Sequence, residues 1–397
     1  MELLAPAGNQ EKLEFAAIYG ADAIYIGGKE FGLRAQSKNF SRHEIKQALK
    51  YAHNNNVKIY VTLNIFAHNR HIDKLEEYIS FLANNKVDAF IISDLGIFAL
   101  AKEIAPAIPI HISTQANVTN WRSAAFWFKL GANRIILARE LTITEVREIK
   151  QRVPDIEIEI FVHGAMCMAY SGRCLLSAYL NGRNANLGNC SQPCRWKYAL
   201  VEETRPEEQF PLRENENGTY ILNSKDLCLI KRIDEIKQIG VDSIKIEGRM
   251  KSLYYTANTT RVYKAALQNL FDNNEILEKE LEKISHRVYT EGFFDKFDSL
   301  DTQYQAASAY IRKYQFLGFV TDISDKYCFI EVRAKFEVGD IIEFISPDIN
   351  NDFKIKVKEI LDENNEIINF TKPNTTVKMK LSHQIQRFAI LRKQIDV

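Results

Sequence analysis

The chain has 397 residues, 46% of them hydrophobic and 26% charged, with 17 Gly and 9 Pro, which excludes collagen-like, low-complexity and wholly disordered classes. Fifty-two Lys and Arg stand against 51 Asp and Glu, a formal +1, so any basic footprint for nucleic acid must be local. No apolar run reaches the roughly 20 residues that span a bilayer, and MELLAPAGNQEK lacks the basic start and apolar stretch of a signal peptide; the expectation is a cytoplasmic chain without a membrane partner.

In chain order, short apolar runs predict strands at 2–4, 23–27, 58–65, 88–93, 109–113, 133–138, 157–162 and 243–247. Helical periods lie between them, at 9–19, 43–55, 72–85, 120–130 and 143–151, and continue at 225–238 and 252–271. Alternating strands and helices imply parallel pairing with right-handed crossovers. Eight such units in about 250 residues fit a closed TIM-type (β/α)8 barrel better than an open six-stranded sheet. Gly20-Ala21-Asp22, Gly131-Ala132-Asn133 and Gly240-Val241-Asp242 each read as a glycine helix stop followed by a polar strand start.

The barrel domain is assigned to 1–272, with an insertion at 164–224 after the seventh strand. A helical linker follows at 273–309, including a charged helix at 276–285. Strands expected at 315–323, 327–333, 340–346, 353–360, 366–370 and 385–391 form a small antiparallel β-domain over 310–397, β-barrel in type. Lys354, Lys356 and Lys358 alternate along one of these strands, a pattern that suits a solvated strand face better than a phosphate-contacting one.

The insertion is far longer than the usual βα loop of about 2–6 residues, and it leaves the face of the barrel where active sites sit. It holds four of the six cysteines: Cys167, Cys174, Cys190 and Cys194, in Gly-, Asn- and Pro-rich sequence that permits unusual turns. Four buried thiols without common purpose are one reading. Structural zinc is another, although only Cys190 and Cys194 have the close spacing such sites favour. The irregular spacing, with Pro193 beside the last thiol, suits an iron–sulfur cluster better. Cys228 and Cys328 read as core residues, with Cys228, placed inward on the 225–238 helix, as the reserve fourth ligand.

Polar residues at the predicted strand ends are the candidate site: Asn64, His68, Asp94, Thr114, Gln115, Asn117, Arg139, Glu140, His163, Glu247, Gly248 and Arg249. Asn64, Gln115, Asn117, Arg139, Glu247 and Arg249 are assigned to substrate binding. Arg139 and Arg249 suit a carboxylate or phosphate, since guanidinium binds either bidentately; a salt bridge from each to its neighbouring Glu is the plain alternative. Arg173, between two presumed ligands, reads as neutralising the cluster or contacting substrate. Glu159 and His163 complete the catalytic candidates; for Glu159 a buried, paired carboxylate is the competing reading. Neither a G-x-S-x-G nor a complete H-E-x-x-H motif is present, and no phosphate-binding or dinucleotide fingerprint appears.

MELLAPAG, ADAIYIG, EIFVHGAMCMAYSGRCLLS, GNCSQPCRW, SIKIEGRMKS and VGDIIEFISP together resemble peptidase family U32 over nearly the whole chain. Length and the retained β-domain are most similar to the branch of that family associated with tRNA hydroxylation. The resemblance implies prephenate-dependent formation of 5-hydroxyuridine at the wobble position. It also implies a [4Fe–4S] cluster on Cys167, Cys174, Cys190 and Cys194, tRNA and an anionic co-substrate as partners, and an electron donor. Alternatives are a collagenase-like peptidase and an electron-transfer scaffold for a partner hydroxylase.

Overall fold

The computed structural model describes residues 1–31, 39–166, 170, 173–183, 185, 190–193, 214–215, 218–219, 225–296, 310–380 and 384–395. These fall into two compact units.

Among the described residues of the first unit, eight parallel strands close into a barrel. They are β1 (Glu2–Pro6), β2 (Ala23–Gly27), β3 (Lys58–Leu63), β4 (Ala89–Ile92), β5 (Ile110–Ile112), β6 (Arg134–Ile136), β7 (Glu157–Ala165) and β11 (Ser243–Ile246). Closure occurs where β11 pairs with both β1 and β7. Between successive strands run α1 (Gln10–Ile18), α2 (Arg42–Asn54), α3 (Ile72–Asn84), α4 (Leu95–Ile104), α5 (Trp121–Lys129), α6 (Ile143–Arg152) and, before β11, α8 (Ile233–Ile239). This is the TIM-type barrel expected, with α4 an addition to the helices read from the sequence.

The three glycine-polar turns do what their chemistry suggested. Gly20, Gly131 and Gly240 take φ of +103°, +92° and +82°, values that L side chains avoid. The polar residue two positions on then caps the preceding strand. Leu3 N–H donates to Asp22, Ile110 N–H to Asn133 and Ile158 N–H to Asp242. Asp88 repeats the device on Ile59, so the residue ahead of β2, β4, β6 and β11 caps β1, β3, β5 and β7 in turn.

The barrel interior is stitched by charge. Arg134 on β6 reaches Glu2 on β1, Glu157 and Glu159 on β7, and Glu159, fully buried, also pairs with Lys245 on β11 at 3.2 Å. The Tyr60 hydroxyl donates to Glu2, and its ring meets His111 edge-on. Burial, with Arg134 and Lys245 nearby, holds the His111 ring well below its ordinary pKa, hence neutral. Lys245, buried over the rings of Tyr25 and Phe161, is lowered by the same desolvation despite its Glu159 partner.

Beyond β7 come α7 (Leu176–Asn181) and a two-stranded ribbon, β8 (Glu214–Asn215) with β9 (Gly218–Thr219). The segment expected as a helix over 225–238 instead opens with β10 (Asp226–Cys228), antiparallel to the end of β7 and joined on its other edge by β12 (Tyr289–Thr290). Helix begins only at Ile233, after a single 3-10 turn at Ile230–Arg232. The reason is local: β7 extends three residues past the expected Val162, and its exposed edge recruits Asp226–Cys228 by backbone hydrogen bonding.

The second unit comprises 18–20, 252–286 and 310–397. Its sheet is formed by β13 (Tyr314–Ile323), β14 (Tyr327–Val332), β15 (Ile341–Ile345), β16 (Phe353–Lys356), β17 (Ile360–Leu361), β18 (Ile367–Ile368), β19 (Thr376–Lys380) and β20 (Ile390–Gln394), paired antiparallel. β19 was not singled out in the sequence. Leu317, Val320, Ile330, Phe336, Phe344 and Leu391 centre the core. Cys328 lies in it, its thiol pushed up to about 12 by burial, as a core residue should be. Lys354, one of the alternating lysines, pairs with Glu343 at 2.7 Å.

The division of the chain differs from a boundary at 272. The helices α9 (Leu253–Leu267) and α10 (Glu275–Leu281) belong with the sheet, while 287–309 belongs with the barrel. Buried charge explains the grouping. Arg261 on α9 pairs with Glu280 on α10 and with Asp352 beside the sheet; Arg392 on β20 pairs with Glu280 and Glu343. Burial alone would raise the Glu280 carboxyl, but Arg392 and Arg261 overcome it and hold it at about 2. Because this is below the ordinary 4.5, the stabilisation is complete above about pH 4.5 and drains as pH falls toward 2. Glu280→Gln should therefore cost about 3 kcal/mol at neutral pH, by removing the carboxylate that two buried guanidiniums share and leaving each with a single acidic partner. Urea unfolding of the full chain should show that cost shrinking as pH falls through this window; a constant cost would contradict it.

Candidate functional site at the mouth of the barrel

The C-terminal ends of the strands carry a connected polar set. On β2, alternation turns Tyr25 and Gly27 to the same face. The Tyr25 hydroxyl donates to Glu247, just past β11, at 3.0 Å and to the Ile246 carbonyl at 3.1 Å. Burial first, then the Glu247 carboxylate, raises this phenol well above its ordinary pKa, while Arg249 and Arg139 oppose the shift from close by. Arg249 is buried and its guanidinium lies over Gly27 and near the Thr62 hydroxyl, 3.4 Å away. A Cβ on Gly27 would collide with the Arg249 Nη1, so the glycine leaves the space that the arginine fills.

Arg139 follows β6. Its Nη1 donates to the Ala165 carbonyl at 2.7 Å and its guanidinium packs 4.1 Å over the Phe161 ring, leaving a buried Nε without a partner. No ion pair joins it to Glu140 among the described residues; Glu140 is half-buried, and that burial raises its carboxyl. On the neighbouring strand end, Gln115 is buried with an unpartnered Oε1. An orphaned donor and an orphaned acceptor each cost about 1–3 kcal/mol unless a ligand or water satisfies them. A cleft lined by Arg139, Phe161, Leu227, Leu229 and Phe294 opens beside Arg139.

Other candidates have structural occupations. Asp94 caps α4 through Ile97 N–H, Thr114 donates to the Leu137 carbonyl, and Asn117, at φ +53°, donates to the Gln115 carbonyl. The Asn64 carbonyl accepts from Ser93. His68 is exposed. His163 is buried against the Tyr289 ring. Glu159 sits toward the start of β7 with its carboxylate between Arg134 and Lys245, far along the strand from the mouth. That favours the paired, structural reading of this residue over the catalytic one.

Cys167 and Cys194 lie outside the described residues. Cys174 and Cys190 are both half-buried. Cys174 precedes α7 and Cys190 precedes Ser191, and those two segments are tied together. Ser191 N–H donates to the Ser177 hydroxyl at 3.0 Å, the Ser177 and Ser191 hydroxyls are 3.0 Å apart, and Asn181 donates to Ser191 at 2.7 Å. The Cys190 sulfur accepts the Gln192 N–H at 3.4 Å, with Gln192 in the left-handed region at φ +58°. Backbone N–H groups aimed at sulfur are a common second layer around cysteine ligands. Arg173, exposed, reaches 5.9 Å over Phe66 in the loop after β3. Cys228 is buried in β10, opposite His163. Among the described residues no three potential ligands gather.

The model of peptidase family U32 matches residues 8–303, and that of the family's C-terminal domain matches 312–392. The chain belongs to peptidase family U32. Bacillus subtilis "tRNA hydroxylation protein P1" is 40% identical over 99% of this chain and 94% of its own length. A Methanocaldococcus jannaschii protein named as an uncharacterized protease is 39% identical over 97% of this chain and 96% of its own. Escherichia coli "23S rRNA 5-hydroxycytidine C2501 synthase" is 37% identical over 68% of this chain and 40% of its own.

Sequence reasoning found Arg139, Arg249, Gln115 and Glu247 but missed Tyr25, Gly27 and Thr62, which lie inside runs read only as apolar strands. The available signal was alternation, since Tyr25-x-Gly27 and Lys245-x-Glu247 put polar or vacant positions on the barrel's inner face. Gly27→Ala should displace Arg249 and destabilise the chain by about 1–3 kcal/mol, read by thermal unfolding. An unchanged melting temperature would contradict the close packing of that arginine.

Proposed function

We propose that this chain hydroxylates RNA, and specifically the wobble uridine of tRNA, giving 5-hydroxyuridine. The reading includes a [4Fe–4S] cluster on Cys167, Cys174, Cys190 and Cys194, an anionic co-substrate such as prephenate, and an electron donor. The observation that carries it is that a relative named for tRNA hydroxylation matches through both units at 40% identity, while the rRNA synthase, also named for hydroxylating RNA, matches about two-thirds of the chain.

The residues present fit such a cluster. Two of the four thiols belong to segments locked together through Ser191, and one sulfur already accepts a backbone N–H. Zinc is the alternative occupant of the same thiols. A bound cluster would supply one-electron chemistry at the barrel's mouth, its potential tuned by such N–H donors.

The chain's own side chains supply recognition. Arg139 and Arg249 suit a carboxylate through charge-assisted hydrogen bonds. The unpartnered Gln115 amide oxygen suits a hydroxyl donor, and the Tyr25 hydroxyl donates to Glu247 past the end of β11. Phe161 shields the Arg139 guanidinium from water, which strengthens an ion pair formed there.

Bulk tRNA from a strain lacking this chain should lack a uridine derivative one oxygen heavier than uridine, measured by nucleoside mass spectrometry. The wild-type gene should restore it, Cys174→Ala should not, and Arg139→Ala should restore roughly a tenth or less. Persistence of the nucleoside in the deletion strain would contradict the reading. So would peptide cleavage by cysteine-alkylated, metal-free protein, the result a peptidase predicts.

A further inference from the structure

Between Glu159 and Glu202 the chain has 42 consecutive residues without an acidic side chain. At its average of 51 acidic residues in 397, about five would fall there. The same stretch carries Arg173, Arg183, Arg195 and Lys197, a local net +4 that comes from the missing acids; over the whole insertion, 164–224, six acidic residues balance six basic ones, so the positive character belongs to its cysteine-bearing first part.

The described part of that insertion also presents apolar and aromatic side chains to solvent. Tyr179 is 84% exposed and Leu175, at the helix cap, 69%, four residues apart and so on one side of the turn that opens α7; Tyr170, five residues before Leu175 in the chain, is 42% exposed. On its inner side α7 is pinned by Ser177 to Ser191. Gly182, at φ +68°, ends the helix and turns the chain into Arg183. An outward tyrosine on a helix flanked in the chain by Arg173 and Arg183 offers the two groups that hold unpaired nucleotides, a ring to stack a base and cations to meet phosphates.

We propose that α7 and its flanks are the RNA-contact face, with Tyr179 stacking an unpaired base and Arg183 and Arg173 contacting the backbone. This rests on the reading of the chain as an RNA hydroxylase and names where its substrate docks. Single-stranded RNA suits the surface better than a membrane. Six helical residues offer little apolar face for a bilayer, while Cys174, one residue from Leu175, places the stacked loop next to the thiols. The alternating lysines of the C-terminal sheet are poorer candidates, since Lys354 is engaged by Glu343.

The test is fluorescence anisotropy of a labelled, unmodified tRNA transcript with the anaerobically purified full chain. Tyr179→Ala should weaken binding roughly tenfold or more, and Tyr179→Phe should bind like the wild type because the ring is kept. Arg183→Ala should lower the slope of log affinity against log salt by about one. Lys356→Ala/Lys358→Ala should bind like the wild type. Since Tyr179 is so exposed, its variants should keep the wild-type melting temperature. Wild-type affinity in both Tyr179→Ala and Arg183→Ala overturns the proposal. So does equal loss in Tyr179→Phe and Tyr179→Ala, loss in the double lysine variant alone, or Tyr179-dependent binding to phosphatidylserine vesicles in place of the transcript. Failure of the activity reading shows separately, as deletion-strain tRNA that the wild-type gene leaves unhydroxylated.

Discussion

The Glu159 carboxyl group has zero solvent exposure, and the barrel closes around the two basic side chains that pair with it. Arg134 comes from β6 and Lys245 from β11, and Arg134 extends the ladder to Glu2 on β1. With Glu159 on β7 the ladder spans four strands, three of which, β1, β7 and β11, meet at the seam where the last strand inserts between the first and seventh. Such groups are costly to bury and tolerable only when paired, so the ladder fixes which strands meet and in what register. Everything at the mouth inherits that register. β7 ends in the cysteine-bearing insertion, and β11 ends in Glu247 and Arg249.

The seam also explains why the site is built from residues distant in sequence. Tyr25, Thr62, Gln115, Arg139 and Glu247 come from five strand ends, and the vacancy at Gly27 admits Arg249 into their midst. Orphaned polar atoms at Arg139 and Gln115 mark where the scaffold stops satisfying itself. Below them, every strong charge named has a partner. The interior is closed for stability and the rim is open for chemistry, a division common to barrels of this kind.

Much of this was legible in the chain. All eight barrel strands followed from apolar runs, and the Gly-x-Asp turns followed from glycine's tolerance of positive φ together with a short carboxylate's reach. The strand at Asp226–Cys228 was not legible, because DLCLIKRI satisfies a helical period and only the extended edge of β7 makes it a strand. The assignment of α9 and α10 to the second unit was hidden for a similar reason. Arg261, Glu280 and Arg392 are far apart in sequence, and nothing local announces that they share one buried cluster. Glu159 was legible as a candidate buried, paired carboxylate, but its partners were not, because Arg134 and Lys245 sit singly within otherwise apolar strands. The cysteines stood out by density alone, while the serine tether that brings two of their segments together, Ser177 to Ser191, had no sequence signature.

The central claim is that the thiols of the insertion serve one inorganic centre at the mouth of this barrel. Iron and sulfide analysis of the full chain purified without oxygen, with its visible absorption, tests that most directly. The account predicts a brown protein with about four irons per chain, and loss of both iron and colour in Cys190→Ala without loss of the barrel's circular dichroism. A colourless, iron-free protein holding one zinc per chain would contradict it.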